Sequence, residues 1–166
     1  MTSWAPHSFT KLGRRQGVPE TYLEPLLIEG RRLTAKGLPV VFTLAHLAAL
    51  CDVPYQFLRQ VASRRADAYR VFNLRKRSGG YRQITVPEPI LMLVQRWIHH
   101  LILKQAEVSA ISTAYSVGAG PVSNARRHCD SRWLVKLDIK SFFESISERQ
   151  VYKVFRSLGY PSLLAF

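Results

Sequence analysis

Between Arg70 and Ile102 the apolar residues change period, and that change limits the available folds more than any other feature of the chain. Arg70-Val71-Phe72-Asn73-Leu74-Arg75 and Tyr81-Arg82-Gln83-Ile84-Thr85-Val86 read with a period of two, which predicts two strands. Lys76-Arg77-Ser78-Gly79-Gly80 joins them, and paired glycines supply the positive φ of a tight hairpin turn. Pro87 and Pro89 then break the strand. Ile90, Leu91, Val94, Trp97, Ile98, Leu101 and Ile102 follow on one broad apolar face, which predicts a helix. A hairpin running into an amphipathic helix points to an α+β chain.

The flanks add helices. Residues 1 to 19 show no period and read as a loose, basic lead-in. Thr21-Tyr22-Leu23-Glu24 has the form of a capping box, opening a helix that runs towards Lys36 with Gly37 placed to end it. Thr43 to Leu50 and Pro54 to Arg59 predict two short helices around a turn at Cys51 to Val53, Pro54 suiting the first position of the second. The pair resembles a helix-turn-helix, although core packing accounts for it better than groove reading. Val108 to Gly120 reads as irregular. Arg132-Trp133-Leu134-Val135-Lys136-Leu137-Asp138 predicts a strand ending in a carboxylate. Ser147-Glu148-Arg149-Gln150 is a second capping box, for a helix to about Leu158 stopped by Gly159.

Hydrophobic residues are 47% of the 166, so a packed core is expected rather than wholesale disorder. Lys and Arg number 24 against 11 Asp and Glu, and the net charge of +13 favours a polyanionic partner. Cys51 and Cys129 are far apart and form no metal-ligand pair, which suits a reducing, cytoplasmic compartment. His99 and His100 point about 100° apart on a helix and do not read as ligands. No signal peptide is apparent, and the most apolar stretch, Pro89 to Leu103, is too short and too polar to span a bilayer.

Two constellations carry chemistry. Arg70, Arg75, Lys76, Arg77 and Arg82 crowd the hairpin with no acid among them. A glycine tip flanked by cations can close over phosphates, Arg as a fork and Lys as a point charge; a solvated basic edge that discourages aggregation explains it equally. Asp138, at a strand end, is placed to hold Mg2+ for nucleotidyl transfer, but such an Asp alone is more often a turn former.

Four motifs in order carry a resemblance. Tyr69 to Ile84 resembles the fingers motif of bacterial reverse transcriptases, and Gln95-Arg96-Trp97-Ile98 resembles the helix that follows it. Leu137-Asp138-Ile139-Lys140-Ser141-Phe142-Phe143-Glu144-Ser145-Ile146 resembles polymerase motif A. Asn124-Ala125-Arg126-Arg127-His128 is similar to the N-A-x-x-H signature of retron enzymes, and argues for that branch over group II intron or abortive-infection types.

The resemblance implies a partial right-hand polymerase, fingers and first part of the palm over residues 66–166, preceded by a small helical region over 1–65. It implies an RNA-directed DNA polymerase that copies a structured RNA template into DNA, with Mg2+ as cofactor and deoxynucleoside triphosphates as substrates. A phage-defence role beside an effector protein goes with it. Asp138 would be the first metal-binding carboxylate, with the Ile139 carbonyl beside it. Lys76 or Arg75, with Arg82, would grip the triphosphate. Phe143 would gate the sugar, while Phe142 is expected in the core. Asn124, Arg126, Arg127 and His128 would meet RNA, Asn124 and His128 being as well explained by hydrogen bonding within a loop. Gly118-Ala119-Gly120 departs from the Gly-Arg-Ser the family often has there, and the 166 residues contain no Tyr-X-Asp-Asp. The fragment by itself is therefore expected to bind nucleic acid without polymerising. The other reading is a non-catalytic nucleic-acid-binding module built on Thr43 to Arg59.

Overall fold

The structure, a computed structural model, describes residues 4–109, 111–114 and 118–161. Its order is α1 (Pro6–Arg15), α2 (Glu20–Ala35), α3 (Leu44–Leu50), α4 (Tyr55–Ala62), β1 (Tyr69–Arg75), β2 (Tyr81–Pro87) and α5 (Pro89–Leu101). A 3-10 turn at Leu103–Gln105, α6 (Pro121–Arg126) and α7 (Glu148–Leu158) complete it. The chain is α+β, as the change of period implies.

The expected loose lead-in is instead α1. Its sequence hides the helix because one of its core contacts is a glycine, which carries no hydropathy signal. Gly13 is buried against Leu23, while Phe9 packs on Phe42 with ring centroids 5.5 Å apart. Pro6 opens the helix, where its missing N–H costs nothing. In α2 the Thr21 box does not form. Pro19 is the N-cap without a side-chain bond, and Glu20 in the first turn pairs with Arg14. That pairing lowers the Glu20 carboxyl below its usual value and raises the Arg14 guanidinium. Gly37, at φ 71°, ends α2 as expected, with the Leu38 N–H donating back to the Leu33 carbonyl.

Thr43 caps α3 by accepting from the His46 N–H at 3.1 Å. Asp52, at φ 54°, makes the turn, and Pro54 is the N-cap of α4 rather than its first residue. The pair of short helices packs as a core element: Leu47, Ala48 and Leu58 are buried. With Leu33, Leu38, Val40, Val41, Phe42, Val94, Ile102 and Tyr160 they form one cluster, so α2 to α5 share a core with the segment after α7.

Two bonds bring that distant segment in: the Tyr160 hydroxyl donates to the Pro39 carbonyl at 2.9 Å and Lys36 Nζ to the Leu158 carbonyl at 3.1 Å. Within the segment, Arg156 donates to the Tyr160 carbonyl at 2.6 Å. At the other end of α7, Arg64 pairs with Glu148. The α7 box is formed as expected: the Ser147 Oγ accepts from the Gln150 N–H and the Gln150 side chain accepts from the Ser147 N–H. Gly159, at φ 110°, closes it.

Arg132 to Asp138 is not a strand. Trp133 is 89% exposed and Leu137 87%, and the run has no ladder partner. A strand exists only where a neighbour accepts its hydrogen bonds, and among the described residues the one sheet is β1 with β2. The alternating sequence is there; the partner is not.

Candidate nucleic-acid interface

β1 and β2 pair antiparallel from Tyr69 with Pro87 to Arg75 with Tyr81. Opposed residues share a face, so Arg70, Phe72 and Leu74 lie with Val86, Ile84 and Arg82, while Val71, Asn73 and Arg75 lie with Thr85, Gln83 and Tyr81. The Lys76 N–H donates to the Gly80 carbonyl at 2.9 Å, which carries the ladder one pair further. Alternation then puts Lys76 on the Arg82 face and Arg75 on the other. Gly79 and Gly80 take φ of 87° and 78°, the left-handed values that the turn requires. At this tip an open depression of about 510 Å³ is lined by Leu74, Arg75, Lys76, Arg77, Ser78 and Arg82.

No acid occurs from Ala68 to Pro87, so nothing within the hairpin neutralises these cations. Phe72, Tyr81 and Leu74 are exposed among them, giving apolar contact area beside fixed charge. The hairpin is moored at its base. The Glu88 N–H donates to the Ala68 carbonyl at 2.7 Å, and Gln95 Nε2 of α5 donates to the Tyr69 hydroxyl at 2.8 Å. Trp97 and Ile98 of the same helix pack on the core. The Gln95–Tyr69 bond was not anticipated from sequence, although both residues sit in segments singled out there; pattern alone does not say which polar groups will face each other.

The second grouping lies around α6. Asn124, within α6, and His128, in the turn two residues past its end, both line a depression of about 550 Å³ with Pro121, Ala125, Cys129 and Leu134 to Leu137. Arg126 and Arg127 are exposed and do not line it. The N-A-x-x-H residues are thus brought beside the run that leads into Asp138.

Asp138 and Ile139 are exposed on an irregular segment, not at a strand end. Beyond them Ser141, at φ 53°, starts a tight turn in which the Ser145 N–H donates to the Ser141 carbonyl at 3.0 Å and Ser145 Oγ to the Phe142 carbonyl at 2.7 Å. Phe142 is not in the core as expected. It is 49% exposed and Phe143 67%, their rings edge-on at 5.4 Å, because among the described residues no apolar element covers this turn.

Among the described residues no three His, Cys, Asp or Glu side chains cluster as metal donors. Asp138 with one backbone carbonyl is therefore not a fit for a complete Mg2+ site, and two-metal chemistry draws carboxylates from more than one place. His99 and His100 are both exposed, with rings 5.4 Å apart, and no third donor joins them among the described residues. Among the described residues no helix is long and apolar enough to cross a membrane.

No family model matches the chain. It is similar to curated retron enzymes: 27% identical to the retron Ec86 reverse transcriptase of Escherichia coli, over 81% of this chain and 42% of the relative. It is 35% identical to the retron Ec83 reverse transcriptase of Escherichia coli, over 55% of this chain and 29% of the relative. With the retron Mx65 reverse transcriptase of Myxococcus xanthus it shares 32% identity, over 83% of this chain and 33% of the relative. The chain spans less than half the length of each of these relatives. These matches support reading the chain as part of a retron-type reverse transcriptase.

Proposed function

We propose that the chain contributes the fingers and the opening of the palm, residues 66–166, to an RNA-directed DNA polymerase, with residues 1–65 as its helical support. The polymerase copies a structured RNA template from deoxynucleoside triphosphates. The observation that carries this reading is the acid-free hairpin, whose tip gathers four cations around one depression and whose base is moored to α5. Lys76 and Arg82, on one face, are the pair assigned to the triphosphate, with Arg75 reaching the depression from the other face. Asn124 and His128, beside the Asp138 run, are assigned to the RNA, flanked by Arg126 and Arg127.

Asp138 and the Ile139 carbonyl are assigned as contributed ligands for Mg2+. The ion supplies charge stabilisation for nucleotidyl transfer when bound, and the donors described here do not complete its site. Phe143 is assigned to the sugar of the incoming nucleotide. Free Cys51 and Cys129 accord with a reducing cytoplasm, and service in phage defence beside an effector protein is part of the same reading.

Primer extension on an RNA template by the full-length protein tests it. Asp138→Asn keeps the side chain's size and removes its charge, so synthesis should fall by orders of magnitude while RNA affinity holds. Synthesis near the wild-type rate would return Asp138 to the role of turn residue and remove the motif A assignment.

A further inference from the structure

A second cationic surface lies outside the hairpin. On α4 the buried or half-buried residues are Phe57, Leu58 and Val61, and the opposite side presents Tyr55, Gln56, Arg59, Gln60 and Ser63 to solvent. This outer side holds donors and one cation, with no acid. The chain then turns tightly: the Arg65 N–H donates to the Gln60 carbonyl at 2.9 Å, which sets Arg65 against the end of α4. Arg64 stands in the same turn at φ 56°, a value that favours glycine, and its charge is taken by Glu148. Arg59 and Arg65 have no acidic partner among the described residues, and Asp67 is engaged by the Tyr69 N–H at 3.1 Å. Arg65 is four residues from Tyr69, so extended chain separates it from the hairpin base by at most about 14 Å.

We propose that the outer face of α4, with Arg59, Arg65 and their neighbours Gln56, Gln60 and Ser63, binds the phosphate backbone of a base-paired stem of the structured RNA. The inference rests on the reading of the chain as an RNA-copying polymerase and adds a site to it. Charge complementarity selects the partner, since an acid-free face of Arg, Gln and Ser offers the donors that grip phosphate without reading bases. Backbone contact along a helix face about 12 Å long, running on to the hairpin base, suits a regular stem. Cations near a helix C-terminus also complement its dipole, and the experiment separates the two roles.

The full-length protein is titrated with a fluorescein-labelled RNA stem-loop across a salt series, alone and as Arg59→Ala/Arg65→Ala. Two lost phosphate contacts should lower the slope of log affinity against log salt by about 1.8, so the variant's deficit is about 12-fold larger at 50 mM than at 200 mM salt. Arg59→Lys/Arg65→Lys should restore most of the slope. An unchanged slope overturns the proposal, as does a lowered melting temperature with RNA affinity intact, which assigns the cations to the dipole. An equal deficit on an unpaired RNA of the same length overturns the stem as ligand. A hairpin variant, Lys76→Ala/Arg82→Ala, is measured beside it by primer extension. If the hairpin variant loses triphosphate affinity while the α4 variant binds RNA normally, only the α4 site falls. If the hairpin variant extends primers with an unaltered KM, the polymerase reading of the hairpin falls.

Discussion

Phe142 and Phe143 stand side by side, both largely exposed, and their neighbourhood dictates different costs for removing them. A buried Phe cut to Ala costs about 3–5 kcal/mol; Phe142, half in solvent with one ring as its neighbour, should lose nearer 1 kcal/mol, read from urea midpoints. Phe143→Ala should likewise stay folded and, if its assignment to the nucleotide sugar holds, raise ribonucleotide incorporation relative to deoxyribonucleotide. Unchanged sugar choice in folded Phe143→Ala would remove that assignment. His46 makes a pH prediction. Burial beside Phe42 lowers its pKa from the usual 6.5, so the unfolded chain takes up the proton more readily than the folded one. Stability should therefore rise with pH towards 6.5 and fall as pH drops below it. His46→Gln should flatten that part of the curve, measured by denaturation on both sides of pH 6.5.

The hairpin is an element that cannot stabilise itself. A two-stranded ribbon exposed on both faces is marginal in water, and every residue of β1 is exposed. What holds it is α5, through the Gln95–Tyr69 bond and the Glu88–Ala68 bond at its base. Tyr69→Phe and Gln95→Leu should each cost about 0.5–1.5 kcal/mol, and the double variant little more than either, since both remove the same bond. Additive losses would show that the two side chains act independently. The tip needs no such support, because Gly79 and Gly80 set the turn locally. That is why the hairpin and its turn were legible in the sequence while its mooring was not.

Across the whole molecule, the helical region and α7 are held together by groups more than a hundred residues apart. Tyr160 is the centre of that contact, fully buried, its ring 6.2 Å from Phe155 and its hydroxyl on the Pro39 carbonyl. Burial raises the Tyr160 pKa, so the phenol stays a neutral donor. Tyr160→Phe keeps the ring and removes the donor, and should cost about 1–3 kcal/mol by leaving a carbonyl unpaired. Hydrogen exchange should then quicken along α7 before it quickens in α2. Exchange unchanged in both would show that packing alone docks the segment.

Short-range signals decided part of this protein. The Ser147 to Gln150 box, the Gly37 and Gly159 stops, the Gly79-Gly80 turn and the apolar face of α5 each depend on residues a few positions apart, and each formed as the sequence implies. The ordered motifs from Tyr69 to Ile146 carried the family in the same way. Tertiary structure decided the rest, wherever an outcome depends on a distant partner. Helix α1 exists because Phe9 and Gly13 find Phe42 and Leu23, whereas the alternating run from Arg132 to Asp138 stays unpaired. Phe142 is exposed because nothing among the described residues covers it, and Tyr160 is buried because Pro39 and Leu33 lie where it lands. Periodicity states which face a segment would bury; only the folded chain supplies the surface it is buried against.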